Sequence, residues 1–288
     1  MSLHNLCRTL IRLHVDEPLK NAISIIRNDP DFFKEFKDKK QTGGGKLREH
    51  TYLYRGSKVN IYEDNETYED EIIYSIFNND DPKQGKCALI YYNKKEKCAH
   101  ICEITYYSKC ADKMPTKKGG TFILEFVIDF IEKKMTKTKE VKYIQLKDNS
   151  KKYCSSTPTD KVPLWILCML TKGETWYGEH GFVPVIPETK KSLMYIYEKN
   201  RQLVNKKVGD VRRMKEYLMK SNDKDLNEKG IEKILKVFKD EPIRKLFSYL
   251  MLNYESKCGM FNKTYENIMD DLGMENMDGF TYIKYIQQ

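Results

Sequence analysis

Two adjacent glycines, Gly119 and Gly120, join a stretch built like a strand to one built like a helix, and this junction constrains the fold more than any other part of the chain. Upstream, Ala99 to Tyr107 is rich in the β-branched and aromatic residues that suit a strand packed on both faces. Downstream, Ile123, Phe126, Val127, Phe130 and Ile131 recur at helical spacing with Glu125, Asp129 and Glu132 between them, which predicts a helix with one apolar face. A helix that starts straight after paired glycines turns unpaired backbone N–H groups and the positive end of its dipole toward whatever lies in front. That is the chemistry of a phosphate site.

Around this junction the chain alternates between the two periodicities. Asp16-Glu17-Pro18 and Asp29-Pro30-Asp31 read as helix starts, the second leading into Phe32, Phe33 and Phe36, before Thr42-Gly43-Gly44-Gly45 breaks the pattern. Thr51 to Tyr54 and Val59 to Tyr62 predict a hairpin about Gly56-Ser57, and Tyr68 to Phe77, with Ile72, Ile73 and Ile76, predicts a short helix. Cys87 to Tyr92 and the strand from Cys98 flank Asn93 to Lys97, a polar loop of hairpin length. Beyond the central helix follow a strand at Val141 to Leu146, an apolar helix opened by Pro163, and strands at Phe182 to Val185 and Ser192 to Tyr197. Val204, Val208, Val211, Met214 and Leu218 then keep helical spacing through a basic stretch, and three further amphipathic helices follow: Gly230 to Lys239, Pro242 to Tyr254, and one carrying Tyr265, Ile268, Met269 and Leu272.

Charge narrows the choice of partners. The 51 Lys and Arg against 42 Asp and Glu leave a net charge of +9, which favours nucleic acids, anionic surfaces or polyphosphate cofactors. Between positions 190 and 220 the basic excess includes Lys190, Lys191, Lys199, Arg201, Arg212, Arg213 and Lys215, a face for nucleic acid or an acidic protein, or simply a solvated helix surface. The eight cysteines show neither a disulfide framework nor paired metal-ligand spacing, so reduced thiols in an intracellular, cytoplasmic or nuclear protein are expected. Cys98, His100 and Cys102 fall on one face of a strand, about 7 Å apart in steps, too straight for tetrahedral ligation, and no metal is expected. No signal peptide and no membrane span is expected. The abundance of Lys, Asn, Ile and Tyr is the usage of an A/T-rich genome, as in large DNA viruses or protists.

The block from about Cys87 to Glu198 resembles the GNAT superfamily of acyl-CoA-dependent N-acyltransferases. Thr116-Lys117-Lys118-Gly119-Gly120-Thr121 stands where that family carries a Gln/Arg-x-x-Gly-x-Gly/Ala loop, with Thr116 and Thr121 in place of the usual residues. Tyr177-Gly178-Glu179-His180-Gly181-Phe182 looks like its Tyr-x-x-x-Gly-Phe segment. The resemblance implies an α/β fold, a mixed, mostly antiparallel twisted sheet flanked by helices, assigned to 46–199; the glycine break and the basic helical periodicity add an N-terminal helical segment and linker over 1–45 and a basic helical extension over 200–288. It further implies acetyl-CoA as co-substrate, held at Tyr106, Tyr107, Thr116, Lys117, Lys118, Gly119, Gly120 and Thr121, and an amine acceptor of unspecified identity.

Acyl transfer from a thioester needs a deprotonated amine, a polarised carbonyl and a proton for the leaving sulfur. In the resembling family a Tyr at the position of Tyr177 protonates the thiolate, and a Glu on the strand that here holds Glu103 serves as base. The residues also fit blander roles, since Tyr177 beside Trp176 suits an aromatic core and Glu103 suits an outward-facing strand carboxylate. The chain is thus read as an N-acyltransferase or as a GNAT-like module that has lost catalysis and binds through its basic helix.

Overall fold

The computed structural model describes residues 33–36, 47–65, 69–77, 86–105, 119–153, 161–220, 226–253 and 257–286. Over these the chain is an α/β protein of mostly antiparallel strands flanked by helices, dividing into two compact units, Met1–Lys142 and Tyr143–Gln288. The glycine break at 42–45 and the helix expected from Asp16 lie outside the described residues.

The first unit is a meander. Strands β1 (Phe33–Phe36), β2 (Leu47–Tyr54), β3 (Ser57–Asp64), β4 (Glu71–Phe77), β5 (Ala88–Asn93) and β6 (Cys98–Ile104) pair antiparallel in chain order. The β2–β3 hairpin turns on Arg55 and Gly56, both at positive φ (49° and 80°), the two-residue geometry whose twist matches that of the flanking strands. The loop between β5 and β6 falls where the polar run Asn93 to Lys97 places it.

Two expected helices in this unit are strands. Phe33–Phe36 lies along β2, with Phe33 opposite Tyr54, because the open edge of β2 offers a ladder of backbone groups that outweighs the Asp-Pro start signal. Glu71–Phe77 is β4, in which Ile72, Tyr74 and Ile76 are buried in strict alternation; an apolar residue on the other face, Ile73, masks the period of two in the sequence.

Helix α1 (Gly119–Phe130) begins at the paired glycines and covers the buried face of these strands. Phe122, Phe126 and Phe130, spaced by four, lie on one side of it. Tyr54 meets Phe122 and Phe126 edge-on at ring separations of 5.3 and 5.2 Å, and Phe130 takes Tyr52 and Tyr74 at 5.7 and 5.5 Å. Burying each such ring contributes roughly 2–3 kcal/mol, with about 0.5–1.5 kcal/mol more per well-oriented pair. At the hairpin end the Tyr54 hydroxyl donates to Asp129 Oδ2 at 2.7 Å, and Arg55 pairs with Glu125. After Phe130 the helix widens into a π-turn over Ile131–Met135. Cys87 is disulfide-bonded, against the expectation of reduced thiols, while Cys98, Cys102 and Cys168 are free.

The second unit holds a three-stranded antiparallel sheet in the order β7 (Tyr143–Lys147), β11 (Thr281–Tyr285), β10 (Val183–Val185), and a small hairpin of β8 (Lys151–Tyr153) and β9 (Lys161–Pro163). Around them pack α2 (Leu164–Lys172), α3 (Met194–Val204), α4 (Met214–Lys220), α5 (Glu228–Phe238), α6 (Ile243–Asn253) and α7 (Lys257–Leu272). Pro163 does open α2, with its fixed φ at the N-cap.

Three expectations change here. Ser192 to Tyr197 is not a strand but leads into α3, whose buried Ile196, Tyr197, Asn200 and Val204 mark a helical face that extends well past Tyr197. The amide of Asn200 bridges to Glu275, accepting from its N–H at 2.9 Å and donating to its carbonyl at 2.8 Å, which holds α3 against the segment ahead of β11. The basic stretch is not one helix, because α3 ends at Val204 and a 3-10 turn over Val208–Asp210 precedes α4. The region after 200 is not only helical either. It supplies β11, the central strand of the sheet, with Tyr282 and Ile283 fully buried.

Among the described residues no helix is long and apolar enough to cross a membrane.

Candidate active site

The sequence-derived site residues fall in both units. Tyr106, Tyr107, Thr116, Lys117 and Lys118 lie outside the described residues. Gly119, Gly120 and Thr121 form the first turn of α1, where an α-helix has no internal acceptors for its leading N–H groups, and no acidic side chain occupies that turn. An anionic group is the ligand this end of a helix suits.

Glu103 stands near the end of β6, next to a break in register. Leu89 pairs with Glu103 but Ile90 with Ile101, so Cys102 is an extra residue bulged out of the ladder. The bulge resets the alternation: Ile101 is buried, Cys102 and Glu103 are both exposed, and the Glu103 carboxylate accepts a hydrogen bond from Thr105 Oγ1 at 2.7 Å. Among the described residues no group of three His, Cys, Asp or Glu is placed to hold a metal ion.

In the second unit Tyr177 sits in the turn that carries the chain from α2 to β10. Gly178 N–H donates to Thr175 Oγ1 at 3.0 Å, and the N–H groups of His180 and Phe182 both donate to the Tyr177 carbonyl, at 3.0 and 3.2 Å. Gly181 closes the turn at φ 82°, a left-handed conformation that costs any residue with a Cβ about 1–2 kcal/mol. The nearest atom to a Cβ placed there is the end of the Lys284 side chain at 3.7 Å, so backbone strain, not space, selects glycine. Phe182 is buried beneath the turn, and Tyr177, 6% exposed, packs against Trp176, Phe182 and Tyr282 at ring separations of 4.9, 6.1 and 5.7 Å.

A polar group that the sequence analysis does not single out, Asp148, is enclosed in the same unit. Asp148 follows β7 and is fully buried. Its backbone is fixed to the turn before β11, with its N–H on the Phe280 carbonyl and its own carbonyl on the Gly279 N–H, at 2.8 and 2.7 Å. Its Oδ1 accepts from both the backbone N–H (3.0 Å) and the hydroxyl of Ser150. Its Oδ2 is buried with no hydrogen-bond partner. Burial pushes this carboxyl up to about 6, against the hydrogen bonds from Ser150 and with help from the negative charge of Asp278.

The neighbouring groups register the same carboxylate. Burial raises the Tyr177 phenol well above its ordinary value, Asp148 adds to the rise, and hydrogen bonding from Ser150 opposes it. The Tyr282 phenol is raised by burial and then by Asp148; its hydroxyl comes close to Thr175 without reaching full hydrogen-bond geometry. Burial pushes the Cys168 thiol up to about 11, with Glu179 and Asp148 adding and Lys172 opposing. An Asp-x-Ser turn was the one available sequence signal, and it does not separate this Asp from those that shape ordinary loops.

The basic residues over 190–220 are largely paired. Lys199 meets Glu275, Arg213 meets Glu216 and Asp271, and Lys215 meets Glu228 and Glu232. Lys190 is turned onto Gln145. Comparisons of the chain with protein-family models, with curated proteins and with solved structures find no match.

Proposed function

We propose that the protein is an acyl-CoA-dependent N-acyltransferase of the GNAT type, moving an acetyl group from acetyl-CoA to a primary amine. The observation that carries this reading is the folding of Tyr177 to Phe182, where a helix gives way, through a left-handed Gly181, to a strand with Phe182 buried under it. That local structure suits the Tyr-x-x-x-Gly-Phe resemblance, which implies the role of leaving-group acid for Tyr177. In the first unit, the start of α1 at Gly119, Gly120 and Thr121 suits the coenzyme pyrophosphate, and Glu103, exposed beside a bulge, is available to an incoming amine directly or through water.

Titration calorimetry with acetyl-CoA tests the reading. Heat of binding and turnover of an amine acceptor are expected, with turnover falling about 10²-fold or more in Tyr177→Phe while binding persists. Neither heat nor thermal stabilisation at about 1 mM acetyl-CoA, where even a weak site fills, would sink it.

A second reading is favoured by the burial of Tyr177 among three aromatic rings: a GNAT-like module without catalysis, in which the tyrosine is a core residue. Binding of acetyl-CoA without turnover would select it. The ion pairs of Lys199, Arg213 and Lys215 reduce the charge that a nucleic-acid face would need, so the N-acyltransferase is the better-supported function.

A further inference from the structure

Helix α5 carries two carboxylates and three lysines, and the structure sets them apart. Glu228 and Glu232 both reach Lys215 of α4, at 2.9 and 2.6 Å. Lys229, Lys233 and Lys236 follow the i, i+4, i+7 spacing that lines side chains up along one side of a helix. All three are exposed, and none has an ion-pair partner among the described residues. The opposite side holds the helix down, with Ile231 and Ile234 buried and Phe238 packed on Tyr249 of α6 at a ring separation of 5.1 Å.

This arrangement works against the helix taken alone. Like charges four residues apart, as in Lys229 and Lys233, repel each other. Lys229 also lies in the first turn, where the helix dipole already presents positive charge. Glu232 precedes Lys236 by four residues, the favourable order for a pair, but its carboxylate is engaged by Lys215. A cationic stripe two turns long is thus left uncompensated by the carboxylates nearest to it.

We infer that this face of α5 binds the phosphate backbone of a nucleic acid without reading its sequence. From Lys229 to Lys236 the helix rises about 10 Å, a length over which one strand of a duplex offers about three phosphates. Lysine meets a phosphate as a point charge, which suits backbone contact rather than the reading of base edges. The one aromatic residue of α5, Phe238, faces α6, so stacking on bases adds nothing here. A lipid surface fits less well, because an interfacial helix sinks a broad apolar face into the membrane. Helix α5 turns that face inward and leaves Val237 as its one exposed large apolar residue. The stripe lies outside 190–220, where Lys199, Arg213 and Lys215 are paired. It needs no acetyl-CoA, so the inference is independent of the acyltransferase reading.

Anisotropy of a labelled, mixed-sequence DNA duplex of about 20 base pairs, titrated with the full chain between about 50 and 200 mM salt, tests it. Binding is expected at the low end and should weaken as salt rises. With Lys229→Gln, Lys233→Gln and Lys236→Gln combined, affinity at about 50 mM salt should fall about tenfold or more, and the slope of log K against log salt should flatten by about 2–3. Lys233→Gln alone should flatten it by about 1. The three side chains are exposed and Gln matches Lys in helix propensity, so these variants keep the fold. Arg213→Gln, which removes a cation already paired with Glu216 and Asp271, should leave the slope unchanged. A triple variant with the slope of the unaltered protein overturns the inference, as does an unaltered protein that ignores the duplex at about 50 mM salt. Tighter binding to poly-glutamate, or to phosphatidylserine vesicles, than to the duplex overturns it too and assigns the face to an acidic protein or a membrane.

Discussion

Replacing Asp148 by Asn should make the second unit more stable at neutral pH than at pH 4, relative to the unaltered protein. The carboxyl lies at about 6 in the folded chain against 3.8 for its ordinary value, a rise of about 2 units, caused first by burial. At about 1.4 kcal/mol per unit this is roughly 3 kcal/mol. The folded state holds the proton more tightly than the unfolded state, so the favourable contribution is complete below about pH 4 and is lost as the pH rises through about 6. Asn keeps an oxygen for Ser150 and never ionises, so it lacks this slope. Whatever constant offset its amide group introduces at Oδ2, the difference in unfolding free energy between the two proteins should shift by about 2–2.5 kcal/mol of that total in favour of Asn between pH 4 and pH 7. Both tryptophans of the chain, Trp165 and Trp176, lie buried in the second unit, so urea unfolding followed by tryptophan fluorescence reads that unit. Glu174, raised by burial, titrates in both proteins and cancels. Glu63 is held low by His50 and Lys139 in spite of its burial, and it belongs to the first unit. A difference that stays constant across this pH range to within about 0.5 kcal/mol would refute the placement of Asp148 as a buried, uncompensated carboxyl.

Two tyrosines of the first unit should respond to the same change with opposite signs. Tyr54→Phe removes a hydrogen bond to Asp129 and should destabilise by about 1.5–3 kcal/mol, whereas Tyr74→Phe deletes a buried hydroxyl that has no partner and should be neutral or stabilising by about 1 kcal/mol, both read by far-UV circular dichroism in urea. Phe126→Ala, which empties the space between Tyr52, Tyr54 and Phe130, should cost about 3–5 kcal/mol in the same assay. At the turn after Tyr177, Gly181→Ala should cost about 1–2 kcal/mol and Gly181→Asn distinctly less, since Asn tolerates the left-handed region; equal costs for the two would show that contact, not φ, selects the glycine.

What could be read from the sequence was whatever is decided within about one helix turn or one hairpin. The helix after Gly119 and Gly120, the helix after Pro163, the turn at Gly56 and the polar loop between β5 and β6 all follow from local periodicity or turn chemistry, and the structure has them. Errors appear where distant partners decide. Phe33–Phe36 is a strand because β2 lies beside it, and Glu71–Phe77 is a strand because β3 and β5 flank it. The strand at Thr281–Tyr285 follows an Asp278-Gly279 turn signal, with Gly279 at φ 77°, but its place in the sheet is set by β7 and β10. The candidate site divides in the same way. Tyr177, Gly181 and Phe182 were legible because one short segment contains them, but the bulge at Cys102 exists only in the pairing of β5 with β6. Asp148 became visible only when the fold had enclosed it, since nothing in its neighbours along the chain says that Tyr177 and Tyr282 will close over it.

The position of β11 also governs when the second unit can come into being. Val183–Val185 has Thr281–Tyr285 as a partner in the sheet, and so has Tyr143–Lys147, so during translation the edges that these two early strands turn to β11 must wait until residue 285 has been made and has emerged. The floor under Tyr177 is Tyr282, on that same late strand, so the turn acquires its lasting shape only at that moment. The first unit, whose neighbouring strands are also neighbours along the chain, has no such delay and can fold as it is made. A nascent chain halted between residues 200 and 280 would therefore carry a folded meander ahead of strands that still lack β11, the species on which a chaperone, or an aggregating neighbour, would act.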